Sequence, residues 1–297
     1  MRAVRFHDFG GPEVLRLDEL PEPARGPGEV LIAVEAAGLN PADSKRRAAR
    51  YGTPPALPAG IGREIAGRVL AADSGGPFAV GDRVVGTGEG ILAERVALPA
   101  ASVAPVPAEL DARIAACLPV AAQTAAAEIA AYAPGPGDTV LVSAAAGGVG
   151  LVAVQLAVAA GARVLGTASE ANHALLRGLG ALPIVYGPGL VERVRAAAPE
   201  GVSLVLDHHG AETLDAAREL GVPPERVNTT AAKGEGRGVG EVGRVGMDRA
   251  HIAALADAIL GGRLTIPIAA EFPIEEVVAA YRLLDGGHVV GKVVLTL

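Results

Sequence analysis

The sequence predicts an α/β protein in which a β-rich domain is interrupted by a domain built on a doubly wound parallel sheet. Three observations carry this expectation. Residues 1 to about 115 read as short strands punctuated by Gly and Pro. From Leu118 onward, short apolar strands alternate with helical stretches. The final stretch, Gly291 to Leu297, is again a strand and belongs better with the β-rich half. The expected division is 1–117 with 252–297 for the β-rich domain and 118–251 for the parallel-sheet domain.

In the first part, Glu29 to Ala36 follows the turn signal Gly26-Pro27-Gly28. Glu64 to Ala72 and Asp82 to Gly86 read the same way, so this half is expected to form an irregular barrel or sandwich. In the second part, Thr139 to Val142 is a buried strand, Leu151 to Ala160 a buried helix and Arg163 to Thr167 a second strand. Ala171 to Leu179 is a helix closed by Gly180. Pro183 to Tyr186, Ser203 to Asp207 and Arg226 to Thr229 supply three more strands, separated by helices over Leu190 to Ala198 and Thr213 to Leu220. Lys233 to Gly246 is rich in glycine and charge and reads as a mobile surface loop. A helix over about Asp248 to Leu260 follows.

At 297 residues the chain is long enough for two domains, and half of it is apolar. Aromatic residues are scarce and Trp is absent, so the core is built from Ala, Val and Leu. A formal net charge of −7 argues against a nucleic-acid partner, which needs a basic face. The single cysteine, Cys117, cannot form an internal disulfide and fits a cytoplasmic protein. It reads as a small buried apolar residue. The N-terminus alternates as a strand and lacks the apolar run of a signal peptide.

The segment with most chemistry is Ser143-Ala144-Ala145-Ala146-Gly147-Gly148-Val149-Gly150, between the strand ending at Val142 and the helix opening at Leu151. Strand, glycine turn, helix is the context in which such a motif binds a dinucleotide: the glycines admit a pyrophosphate, and the helix N-terminus offers N–H groups and partial positive charge. The motif is A-x-x-G-x-x-G over Ala144, Gly147 and Gly150, without the first glycine of the usual fingerprint, and alone it is a weak signal. Val140 to Ala162 contains no charged residue, a length that would suit a membrane span. The glycines split it into a strand-sized and a helix-sized piece, and a bilayer would leave the turn's backbone unsatisfied. No membrane partner is expected.

Several separated segments resemble one family. Asn40-Pro41-Ala42-Asp43-Ser44-Lys45, Tyr51 before the proline-rich Pro54 to Pro58, Gly60-Ile61-Gly62-Arg63-Glu64-Ile65-Ala66-Gly67, and Phe78-Ala79-Val80-Gly81-Asp82-Arg83-Val84 stand in its order. Leu118-Pro119 with Thr124-Ala125, the 144–150 turn, and Gly286 to Leu295 complete the set. The chain resembles the medium-chain dehydrogenase/reductase superfamily, in its zinc-free quinone oxidoreductase (zeta-crystallin-like) branch. That resemblance implies a GroES-like β-rich catalytic domain and a Rossmann domain. It also implies an NADPH-dependent reductase of a small-molecule quinone or α,β-unsaturated carbonyl, and a homodimer. The zinc alcohol dehydrogenases of the superfamily carry Cys in the first segment and His before the Glu of the turn. Here those places read Asn40-Pro41 and Arg63, which removes the thiolate and imidazole of a catalytic zinc site. No metal is expected.

An NAD-specific site places Asp or Glu near the end of the second strand to hold the ribose 2′-hydroxyl. Thr167 to Ser169 is not acidic; Ser169 and Asn172 can donate to a 2′-phosphate, while Glu170 would repel it and a basic neighbour is missing at Ala171. NADPH is therefore expected over NADH. The resemblance implies cofactor contacts at Thr124 (the nicotinamide carboxamide), Ala144, Gly147, Gly148, Val149, Gly150, Ser169, Asn172 and Lys292, and near the adenosine at Tyr186. Tyr186 reads equally as an ordinary strand-end tyrosine. His208, after Asp207 at the C-terminal end of the fourth strand, is expected near the nicotinamide ribose. A metal shared with His209 is disfavoured because adjacent strand residues face opposite ways.

The catalytic candidates are Tyr51, as hydrogen-bond and proton donor to a developing oxyanion, and Asn40, as a neutral donor to a carbonyl oxygen or to the nicotinamide ribose. Asp43 serves either there or as the cap of the next short helix. Arg63 is expected to pair with Glu64, and Lys45 to lie on a solvated helix face. A nucleotide-binding protein with little catalysis is the rival reading. The cofactor expectation has a direct test: Ser169→Asp should shift preference from NADPH towards NADH, measured as the ratio of dissociation constants. An unchanged ratio would remove Ser169 from the 2′-phosphate.

Overall fold

The computed structural model describes residues 1–50, 52–231, 238–243 and 246–297. They fall into two compact units, Met1–Ala121 with Gly246–Leu297, and Ala122–Val245. The seams lie at 121/122 and 245/246, against the expected 117/118 and 251/252.

The first unit opens with β1 (Arg2–Phe6), β2 (Leu15–Glu19) and β3 (Glu29–Gly38). On β3 alternate side chains, Val30, Ile32 and Val34, enter the core. Helix α1 (Pro41–Arg47) starts at Asn40 with Pro41 in its first turn, followed by β4 (Ala59–Gly60), β5 (Glu64–Ala71), β6 (Arg83–Thr87), β7 (Arg95–Pro99) and β8 (Val103–Pro105). Helix α2 (Ala112–Ala115) begins a helical stretch, Ala112–Tyr132, that is long and apolar enough to cross a membrane by length and composition. Two-thirds of its most apolar window is buried, as in a core helix.

The second unit runs α3 (Gln123–Tyr132), β9 (Thr139–Val142), α4 (Gly148–Ala159), β10 (Arg163–Thr167) and α5 (His173–Gly178). It continues with β11 (Leu182–Ile184), α6 (Leu190–Ala197), β12 (Leu204–Asp207), α7 (Ala211–Glu219) and β13 (Val227–Thr229). The strands form one parallel sheet in the order β11-β10-β9-β12-β13. The order reverses at β9, which is where doubly wound sheets bind ligands at their C-terminal edge. The uncharged run from Val140 to Ala162 is β9, a turn and α4; on α4 Gly150 to Val154 and Ala157 are buried, while Gln155, Leu156 and Val158 are half-buried and Ala159 is exposed.

Two expectations need correction here. The third strand stops at Ile184, so Tyr186 lies beyond it, in a turn whose carbonyls from Val185 to Pro188 accept four hydrogen bonds from the Arg193 guanidinium. The described part of the glycine-rich segment expected as a mobile loop, 238–243, is tied to the sheet by backbone hydrogen bonds. Gly240 donates to Val227 O and accepts from Thr229 N, so 238–243 runs parallel beside β13; residues 233–237 and 244–245 of that expectation lie outside the described residues.

The chain then returns to the first unit through α8 (Arg249–Leu260), whose N-terminus is capped by Asp248, β14 (Ile268–Pro273), α9 (Val277–Asp285) and β15 (Lys292–Thr296). As expected, the last strand joins the β-rich part: it pairs antiparallel with β3 in a seven-stranded sheet. Two strands of this sheet approach very closely at Gly67, where an added Cβ would lie 2.0 Å from Ala33 O. Gly67→Ala should therefore lower stability by about 1–3 kcal/mol. Denaturant titration reads it out, and an unchanged midpoint would show that β3 and β5 can part at no cost.

Candidate functional site

In the second unit, the turn entering α4 is shaped by close packing. Ala144 adopts φ +46°, its carbonyl accepts from Gly147 N at 2.9 Å, and a Cβ on Gly150 would come within 2.4 Å of that carbonyl. Only glycine at 150 lets the helix start against the turn. Gly147 is the N-cap and no side chain caps α4, so the N–H groups of Gly148, Val149 and Gly150 at its first turn are left for a ligand. Gly147, Gly148 and Val149 are half-buried. This arrangement fits an anionic pyrophosphate.

A buried carboxylate fixes the turn's position. Asp207, at the end of β12, accepts from Ser143 Oγ, Thr229 Oγ1, His209 N and Gly210 N at 2.7–2.9 Å. Ser143 Oγ in turn accepts from the backbone of His208 and His209. One side chain thus ties together the C-terminal ends of β9, β12 and β13. After β10, Asn172 Nδ2 lies 3.3 Å from Ser169 Oγ, which places the two 2′-phosphate candidates side by side. Tyr186 is exposed, and Arg193 spends its donors on backbone carbonyls.

Thr124, on α3, donates to Gly243 O at 3.1 Å and so holds the glycine-rich segment. The ring of His208 is turned inward, away from its expected ribose contact: its side chain is 5% exposed, Nδ1 pairs with Thr230 Oγ1 at 3.0 Å, and Nε2 faces Glu128. Burial pushes its imidazole down to about 4. His209 points outward beside Glu212, as strand alternation requires.

In the first unit the expected catalytic residues are bound into the fold. Lys292 Nζ donates to Leu39 O, Asn40 Oδ1 and Glu64 Oε1, each at 2.7 Å. Its three donors are used and it is buried, which corrects its expected cofactor contact. Asn40 accepts from Lys292 and donates Nδ2 to Glu64 Oε1 at 3.0 Å, so its amide is committed inside the protein and its role as free donor to a carbonyl is corrected too. Glu64 also accepts from Val120 N. Asp43 takes the capping role: its carboxyl accepts from Asn40 N at 3.0 Å and from Tyr281 Oη at 3.3 Å. Burial pushes that carboxyl up to about 7, against the pull of the Asn40 N–H and the Lys292 charge. Arg63 pairs with Glu89 at 3.2 Å, not with Glu64, whose cation is Lys292. Lys45 is on an exposed face. Cys117 is buried, its thiol pushed up to about 12 by burial. Tyr51 lies outside the described residues.

Two participants escaped the sequence reading. Glu128 and Asn228 are both fully buried and hydrogen-bonded at 2.7 Å. The signal was present: Thr124, Glu128 and Tyr132 recur every four residues, one polar stripe on an Ala-rich helix.

Comparison with known proteins finds dehydrogenase families and quinone oxidoreductase relatives. Residues 26–108 match the alcohol dehydrogenase GroES-like domain family, and residues 179–295 the zinc-binding dehydrogenase family. Rat quinone oxidoreductase is 36% identical over 216 residues, 70% of this chain and 66% of that protein, just under two-thirds of its length. Human quinone oxidoreductase is 30% identical over 322 aligned positions, covering 100% of this chain and 98% of that one. A solved mycobacterial protein complexed with NADPH is 31% identical, with TM-score 0.89 and full coverage of both chains.

The elevated Asp43 carboxyl has a consequence for stability. Its folded value lies above the ordinary 3.8, so its stabilising protonation is complete below about pH 4 and is lost as pH rises towards 7. Asp43→Asn keeps a cap acceptor and removes the ionisation. It should gain stability relative to the parent between pH 4 and 8, on the order of 1 kcal/mol or more at the upper end. Parallel denaturation curves of the two proteins would refute the shift.

Proposed function

We propose, because the chain belongs to the medium-chain dehydrogenase/reductase superfamily in its quinone oxidoreductase (zeta-crystallin-like) branch, that it is a zinc-independent, NADPH-dependent reductase of a quinone or an α,β-unsaturated carbonyl. The observation that carries the reading is the uncapped turn at 144–150, set by Asp207 at the switch point of the parallel sheet. A dinucleotide bound there supplies hydride to an electron-poor acceptor.

The chain's own residues bind, orient and neutralise. Gly148, Val149 and Gly150 offer backbone N–H groups to the pyrophosphate. The pair Ser169–Asn172, with no acidic residue from Thr167 to Ser169, favours a 2′-phosphate over a bare ribose. Tyr51 is proposed as donor to the acceptor oxygen, and since Asn40 and Asp43 are committed to the fold it is the main remaining candidate of that type. Zinc independence is supported by Lys292: an ammonium already seated between Asn40 and Glu64 opposes a second cation there. A cytoplasmic location and a homodimer belong to the same proposal, supported by the single cysteine and by the resemblance.

The test follows NADPH absorbance on adding simple quinones and enones to the purified protein, with elemental analysis alongside. Turnover and less than stoichiometric zinc are expected. If every acceptor fails while NADPH still raises the melting temperature, the protein binds nucleotide without reducing these substrates.

A further inference from the structure

Glu128 is a buried carboxyl that the proposed reduction does not use. It sits on α3 with no exposure, and one oxygen, Oε1, accepts from Asn228 Nδ2 at 2.7 Å. Its other oxygen, Oε2, has no hydrogen-bond partner and lies 3.5 Å from His208 Nε2, which has none either. Two buried polar atoms facing each other with nothing between are costly unless a proton joins them. If both were acceptors they would repel; one proton turns the contact into a hydrogen bond.

The two partners of Glu128 belong to two loops at the C-terminal edge of the sheet. His208 leads the loop after β12, and its backbone N–H holds Ser143, the first residue of the glycine turn. Asn228, on β13, donates to Val242 O and accepts from Val242 N, and so holds the 238–243 segment. Thr124, one helical turn before Glu128, holds the same segment at Gly243. We propose that Glu128 is a positioning residue for dinucleotide binding: as a neutral acid it donates Oε2–H to His208 Nε2 and accepts from Asn228, clamping both loops at that edge.

The surroundings support the neutral form. The titratable groups facing the pair are Asp207 on β12, a carboxylate whose charge opposes a second one, and Tyr132 on α3, whose hydroxyl reaches Asn228 Oδ1 at 3.4 Å. Arg226 touches Tyr132 only at its carbonyl. Burial raises the Glu128 carboxyl well above the usual range and lowers the His208 imidazole to about 4, so both shifts favour the neutral forms.

The inference rests on the dinucleotide-binding reading for its function but not for its chemistry, and two measurements separate them. Nitrogen-15 NMR of the ring of His208, without cofactor at pH 7, should show Nδ1 protonated and Nε2 as a bare acceptor, in the parent and in Glu128→Gln. A proton on Nε2 in the parent would overturn the clamp. NADPH titration should show Glu128→Gln, whose amide can donate and accept in the same places, within about twofold of the parent. Glu128→Ala, checked for folding, should bind about tenfold more weakly, the scale of one lost buried hydrogen bond. Equal affinities in Ala and Gln variants would overturn the positioning role. If Glu128→Ala does not fold, a Gln variant weakened tenfold does the same. Should the parent itself bind neither NADPH nor NADH, the functional reading fails while the NMR result still decides where the proton lies.

Discussion

A buried ammonium holds the first unit together. Lys292, on the last strand, reaches Glu64 on β5 and Asn40 at the start of α1, in a chain interrupted by more than a hundred residues of the second unit. Burying an isolated ion costs several kcal/mol, so each partner is needed once the other is present. Glu64 has no exposure and Lys292 almost none. The pair adds little net stability by itself. Its effect is specificity of arrangement: β15 must return to β3, and Asn40 must end that strand, or a charge is left unpaired inside the protein.

The second unit uses the same device with a different charge. Asp207 gathers four donors from three strand ends and so defines the edge at which the 144–150 turn opens. The turn needs that support because its own residues are Ala, Gly and Val, which offer no side-chain hydrogen bonds. What it presents outward is backbone alone, which suits a phosphate ligand. The polar stripe of α3 completes the edge from beneath, through Thr124, Glu128 and Tyr132. Both units therefore place a few hydrogen-bonded polar groups in an Ala-, Val- and Leu-rich core, and those groups set positions that apolar packing would leave loose.

Much of the fold was legible residue by residue. The strands at 139–142, 163–167 and 204–207 are short apolar runs between turn signals, and the helix before Gly261 announces itself with Asp248. The glycine turn was legible because a close approach of backbone to backbone leaves few residue types to choose from. The site residues were harder. Asn40, Asp43, His208 and Lys292 were expected at the site, yet all four side chains turn into the protein. A polar residue in an apolar context signals that it has a partner, and sequence alone does not say whether that partner is a ligand or another buried residue. Tyr186 and Arg63 were misplaced for a related reason: their neighbours, Arg193 and Glu89, are seven and twenty-six residues away.

The sequence by itself determined the alternation of strands and helices, the dinucleotide turn, the absence of the cysteine and histidine that a catalytic zinc would need, and the branch of the superfamily. These depend on local periodicity, on glycine's conformational freedom and on residue identity, all of which are properties of short stretches. Only the tertiary structure decided which polar groups pair: Lys292 with Glu64, Asp43 with Asn40 and Tyr281, and Glu128 with Asn228 and opposite His208. Apart from the local cap of Asp43 on Asn40, these contacts join residues from 80 to 238 positions apart. A buried polar group takes whichever partner the packing brings within reach, and that choice is made by the folded chain as a whole.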